Sequence, residues 1–265
     1  MQIEVVKTTP KGKAKPAPLL FLHGMFHGAW CWEEYFLPYF TDQGYTCYAM
    51  SLRGHGNSEG RKQLWRTGIN HYLQDLHQVV GQVKEETGEM PVLVGHSMGG
   101  SLVQMYMGQH EVPGGVLVAA GPPWGLLPVT LRVMRRHPLV FLKINLLMDM
   151  FQVVKTPQLF QDGFLGNISQ EKLLEYHKMI GQESYRAYVE LIALKRPRPG
   201  KVKSPVLVLG GEIDAMFPPS TVHGTAKAYN TDATIFPGMG HGLMVENGWQ
   251  GVAEKISTWL VGKGW

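Results

Sequence analysis

The chain has 265 residues, 44% of them apolar, and a formal charge of +4. That is enough chain to bury one large core and suits a single domain with an insertion, while no run approaches the roughly 20 apolar residues of a membrane span. The surplus of positive charge comes without any nucleic-acid-binding pattern, which argues against a nucleic-acid partner.

Taken in order, short apolar runs alternate with helical stretches. Met1 to Val6 reads as a strand near Ile3–Val6 rather than as a secretory signal. The Lys-, Pro- and Gly-rich segment Lys7 to Pro18 reads as a loop. Further strands are expected near Leu19–Leu22, Thr46–Met50, Val92–Val94, Gly115–Ala120, Val206–Leu209 and Thr234–Phe236. Continuous apolar strands separated by helices predict an α/β fold with a mostly parallel, doubly wound sheet covered on both faces. Cys31 and Cys47 fall in or beside core elements and are expected as buried free thiols, which fits a cytoplasmic protein.

The alternation breaks between Ala120 and Val206. Pro122-Pro123 open this gap, Pro197, Pro199 and Gly200 close it, and helix-like segments fill it. Residues 122–204 are therefore expected to form an inserted helical cap between core segments 1–121 and 205–265. The stretch Leu139–Phe151 is strongly apolar. The plain expectation is a helix packed on its neighbours. The sharper one is that Phe141 and Phe151 join Met25, Phe26, Trp124 and Met244 around an apolar acyl pocket. Basic residues cluster at Lys7–Lys15, Arg132–Arg136 and Lys195–Lys203. A solvated surface explains them plainly, and a weak contact of the cap rim with an anionic lipid interface is the sharper reading. No obligate protein partner is inferred.

The chemistry concentrates in Gly95-His96-Ser97-Met98-Gly99, directly behind Pro91–Val94 and directly before the helical stretch from Gly100 to Gln109. A strand ending in a sharp turn that carries a serine, then a helix, places the hydroxyl at the strand's carboxyl end near a helix N-terminus. Gly95 and Gly99 supply the small flanking positions such a turn demands. A serine hydroxyl needs a base and a group to orient that base. Among eleven histidines, His241 in Gly238-Met239-Gly240-His241-Gly242 follows a strand-like run in a glycine loop. His96 is expected to point away from Ser97, and His55 reads as a loop histidine. His23 and His27 have i,i+4 spacing, but their glycines argue for a loop and no third ligand is evident, so no metal is expected. The orienting acid comes from Gly211-Glu212-Ile213-Asp214 behind Pro205–Leu209. Asp214 is chosen over Glu212 because it lies further into the loop. An amide of the His23-Gly24 loop and the Met98 N–H would then face an oxyanion above Ser97. Gly54–Gly60 has the wrong glycine spacing for a dinucleotide, and no cofactor is implied.

Through His23-Gly24, Arg53-Gly54-His55-Gly56-Asn57-Ser58, the serine elbow, Asp214 and His241, the chain resembles the α/β-hydrolase superfamily over essentially its whole length. It looks like the carboxylesterase, lysophospholipase and monoacylglycerol-lipase branch, a resemblance that implies the Met25 amide as the loop's oxyanion donor. His23 to Trp30 is also similar to the plant methylesterase and hydroxynitrile-lyase group. The lyases carry Thr at Gly24 and Lys at Gly242, so both departures weigh against a lyase. The expected function is a serine hydrolase cleaving carboxylic esters with an apolar acyl group. The alternatives are a lactone or amide hydrolase with the same residues, and a hydrolase-fold ligand receptor with little turnover.

Overall fold

The apolar runs pair into one seven-stranded sheet. Its strands are β1 (Val5–Thr8), β2 (Leu19–Leu22), β3 (Cys47–Met50), β4 (Val92–His96), β5 (Gly115–Val118), β6 (Val206–Gly211) and β7 (Ala233–Phe236), and they stand in the order β1-β3-β2-β4-β5-β6-β7. The computed structural model describes residues 1–265, the side chain of residue 193 excepted. Every pairing is parallel except that of β1 with β3.

Every residue of β2 to β6 is buried, as strands covered on both faces must be. Successive side chains alternate between two cores. Leu19, Phe21 and Cys47 point into one, beside Trp32 of α1 (Trp30–Glu33), Phe36 of α2 (Phe36–Asp42) and Ile256 of α11 (Trp249–Gly262). Leu20, Leu22 and Tyr48 point into the other, beside Leu76 of α3 (Ile69–Thr87), Leu102 of α4 (Met98–Met107) and Val222 of α10 (Pro219–Ala228). Cys31 and Cys47 are buried free thiols, and burial pushes Cys47 up to about 12.

The first strand departs from its expected place. It begins at Val5 and runs into the segment that reads as a loop, where Lys7 and Thr8 pair with Tyr48 and Cys47. An edge strand can carry a polar residue on its open side, and Lys7 Nζ there meets Glu86 at 2.6 Å.

From β2 the chain moves to β3 on one side, and β4 then pairs with β2 on the other. The connections leaving the carboxyl ends of β2 and β4 therefore diverge and open a crevice, where ligands bind in sheets of this kind. Between β5 and β6 lies the helical insertion: α5 (Leu127–Arg136), α6 (Pro138–Leu147), α7 (Pro157–Phe164), α8 (Gln170–Met179) and α9 (Tyr185–Val189). Proline in the first turn starts α5, α6 and α7, and Thr156, Ser169 and Ser184 cap α7, α8 and α9 through their hydroxyls. Among the described residues no helix is long and apolar enough to cross a membrane.

Candidate active site

Ser97 sits between β4 and α4 with φ 51° and ψ −116°. A left-handed residue other than glycine costs of order 1–3 kcal/mol, so its surroundings must hold it there. They do so through backbone. Ser97 N–H donates to the Val118 carbonyl at 3.1 Å, and Gly121 N–H donates to the Ser97 carbonyl at 3.1 Å. A Cβ on Gly99 would lie 2.5 Å from the His23 carbonyl oxygen, and one on Gly95 would lie 2.6 Å from that of Gly99. Both glycines are thus required by contact with backbone that cannot yield.

His241 and Asp214 meet at the same sheet edge. The Asp214 carboxylate is buried. Its Oδ1 accepts the amides of Met216 and Phe217 at 2.7 and 2.9 Å, and its Oδ2 accepts the Nδ1–H of His241 at 2.8 Å. That bond leaves Nε2 as the free edge of the ring. Nε2 is buried and has no hydrogen-bond partner, Ser97 Oγ included. The ring packs edge-to-face with Phe164 and Phe217, at centroid distances of 5.7 and 5.3 Å. Glu212, the other acid of the loop, is exposed and accepts only the Gly238 amide, at 2.9 Å.

Three buried histidines shape the loop after β2. His23 Nε2 accepts the Leu52 amide at 3.0 Å, so its Nδ1 carries the proton and donates to the Gly24 carbonyl at 2.7 Å. The Gly24 carbonyl and the Met25 N–H belong to one peptide plane and point in opposite directions. Fixing the carbonyl on one side therefore aims the Met25 amide to the other. His27 Nδ1–H holds the next carbonyl, that of Met25, at 2.7 Å. His96 Nε2–H donates to the His241 carbonyl at 3.0 Å, so the elbow histidine steadies the loop of the other one. Burial keeps all three neutral: it drives His23 and His96 well below the ordinary histidine range and His27 down to about 4. The Met25 and Met98 amides donate to no protein acceptor among the described residues, and both residues line the cavity that Ser97 enters. Gly24 is needed for close approach: a Cβ there would lie 2.8 Å from that of Ser97.

The cavity, of about 70 Å³, is closed over by the insertion. Leu126, Val129 and Val133 from the start and inner face of α5, Ile144 of α6, and Phe164 of α7 form its apolar roof, with Phe26 below. Of the six side chains expected from sequence, Met25 and Phe26 are on its wall. Trp124 is 38% exposed, and its ring lies over Gly224 of α10. Met244 is buried in the core, and Phe151 packs at the edge of that core. Phe141 is half-buried on α6, one turn from Ile144 and away from the cavity wall. The reason is geometric: α6 is apolar on nearly every face, so its composition does not say which residue turns inward.

Two buried carboxylates join the insertion to the core, and sequence reasoning missed both. Glu246 accepts the amides of Gly240 and Gly242 at 2.8 and 2.9 Å, bracketing His241, and that of Asn167 in the insertion at 3.0 Å. Glu183, ahead of α9, accepts from Tyr72 at 2.7 Å and pairs with His55 Nε2 at 3.1 Å. Burial alone would lower His55, but the Glu183 charge and hydrogen bond outweigh it and raise the imidazole above its ordinary value. The visible signal for Glu246 is a lone acid directly after the apolar run Leu243 to Val245; Glu183 has none, and His55, which reads as a loop histidine, is instead its buried partner.

The chain is similar to known proteins in this same architecture. It is 24% identical to a monoacylglycerol lipase of Mycolicibacterium smegmatis over 234 residues, covering 84% of this chain and 80% of that protein. It is 26% identical over 257 residues to a non-heme chloroperoxidase of Burkholderia pyrrocinia, covering 89% of each. Among solved structures, the monoacylglycerol lipase of Paleococcus ferrophilus superposes with a TM-score of 0.71 at 21% identity, covering 99% of this chain and 100% of that one. A family profile matches residues 19–255, from β2 into α11. The chain belongs to the alpha/beta hydrolase family.

Proposed function

We propose that the protein is a serine hydrolase that cleaves carboxylic esters with an apolar acyl group through an acyl-enzyme. Ser97 Oγ attacks the carbonyl carbon while His241 Nε2 takes its proton, and Asp214 holds the imidazolium that forms. The carbonyl oxygen, now negative, is met by the Met25 and Met98 amides, each such donor being worth roughly 3 kcal/mol in the transition state. His241 returns the proton to the departing alkoxide. Water then attacks the acyl-enzyme with His241 as base, releasing the acid and restoring Ser97. The insertion acts as a cap whose apolar roof takes the acyl chain and excludes water.

One observation carries the reading: a carboxylate held by two amides orients a buried imidazole whose second nitrogen is free. A buried ring nitrogen with no hydrogen-bond partner is placed to take a proton from a hydroxyl brought to it. The relatives named as monoacylglycerol lipases support an ester substrate.

Steady-state turnover on a panel of activated esters from acetate to octanoate, with matched amides and lactones, tests it. Ester turnover well above the amides and lactones is expected. Binding of the panel without turnover would instead favour a ligand receptor on this fold.

A further inference from the structure

Helices α5 and α6 pack against each other and carry two unlike faces. Val129, Val133 and Ile144 face the cavity. Outside, Leu139 and Leu146 of α6 are 72% and 71% exposed, Leu142 and Leu147 are exposed between and beside them, and Met148 follows at 67%. On α5, Leu127, Leu131 and Met134 recur at helical spacing and are exposed as well. Isolated exposed leucines are ordinary, but this many on two adjoining helices form a surface that seeks cover.

The two helices themselves carry charge of one sign, although Asp162 of α7 lines a groove together with Arg136. No acidic residue occurs between Glu111 and Asp149, whereas Arg135, Arg136 and Lys143 are exposed among the leucines. Arg132 is spoken for by the carbonyls of Ala215 and Met216, at 3.0 and 2.9 Å. Leucines interleaved with unpaired cations are the composition of helices that lie in a membrane surface. A second copy of the chain fits less well. A two-fold contact through this face would set like cations near one another, and the hairpin has no acid to pair with them.

We propose that the outer face of α5 and α6 docks on an anionic lipid bilayer. The leucines enter the boundary between headgroups and acyl chains, while Arg135, Arg136 and Lys143 pair with lipid phosphates. The cavity roof is the inner face of the same two helices, so docking presents the site to esters carried in the bilayer. That last link rests on the proposed ester hydrolysis; docking itself does not.

The test is co-sedimentation of the full chain carrying Ser97→Ala, which cannot consume lipid, with two kinds of vesicle. One is phosphatidylcholine alone and the other phosphatidylcholine with phosphatidylglycerol. Binding to the phosphatidylglycerol vesicles is expected, weaker at high salt and far weaker with phosphatidylcholine alone. Arg135→Glu with Arg136→Glu should weaken it by at least roughly fivefold for each residue, the equivalent of about 1 kcal/mol per lost cation. Leu142→Ser with Leu146→Ser should weaken it roughly tenfold or more at low salt, through lost apolar burial. The same substitutions in the Ser97 protein should leave acetate-ester turnover unchanged, which shows that the fold survives. Absence of vesicle binding would overturn docking, as would equal binding to both vesicles or a dimer that the leucine substitutions dissociate, and none of these would bear on ester hydrolysis.

Discussion

The sheet edge and the helical insertion meet in one cavity but are built on different terms. At the sheet edge, close approach decides what each position can be: a Cβ on Gly99 would run into two carbonyl oxygens, and one on Gly24 into the Cβ of Ser97. In the insertion, apolar side chains touch apolar side chains, and several residues would serve equally at most positions. The first kind of region tolerates almost no change and announces its chemistry. The second leaves more room for substitution, and under the proposed ester hydrolysis it would set preference rather than reaction.

If that contrast holds, changes at the edge should act on rate and changes in the roof on selectivity. The largest effect is expected from Ser97→Ala, which should lower ester turnover by at least roughly 10⁴-fold while thermal unfolding is unchanged. Asp214→Asn should follow, with a loss of up to roughly 10⁴-fold, because an amide in place of the carboxylate favours the wrong imidazole tautomer. Glu212→Gln touches only the Gly238 amide and should stay within a few-fold of the parent. Steady-state kinetics of the two single variants side by side would break the assignment if Glu212→Gln proved the more damaging.

In the roof, enlarging Ile144 or Val133 to Phe should shorten the preferred acyl chain. The octanoate-to-acetate ratio should fall by roughly 10- to 200-fold, the range that a change of one methylene or so commands in an apolar pocket. Phe141→Ala and Trp124→Ala lie off the wall and should leave the ratio unchanged. A ratio altered by the second pair and not by the first would relocate the pocket.

The smallest effect concerns acid. The folded protein keeps His23, His27 and His96 neutral by burying them, whereas the unfolded chain protonates them below about 6.5. The unfolded state then binds more protons, so stability falls as pH drops from 6.5 toward the value of about 4 held by His27. His55 acts the other way, since its raised value adds stability below 6.5. Three groups oppose one, and the melting temperature should decline steadily from pH 7 to pH 5.

The same contrast explains what could be read from the sequence. The five inner strands were legible because runs such as Leu19–Leu22 and Val206–Leu209 are apolar at every position, as a doubly covered strand requires. Ser97, Asp214 and His241 stood out because glycine loops deliver them behind such runs, and the structure brings the last two into one hydrogen bond. Phe141 and Phe151 were misplaced because an all-apolar helix has no period that marks its inner face. Glu183 and Glu246 were missed for another reason. Glu183 bonds Tyr72 and His55, both far away in the chain, and the amides that Glu246 holds leave no trace but its own place after an apolar run. Lys7 hid an edge strand by being polar where one side needs no cover.

The most direct test of the account is covalent. A serine-directed fluorophosphonate, added to the active protein and followed by intact mass and peptide mapping, should place a single adduct on Ser97 as ester turnover disappears. His241→Ala should suppress the labelling. Loss of turnover with the adduct on any other residue, or full activity with Ser97 modified, would contradict the central claim.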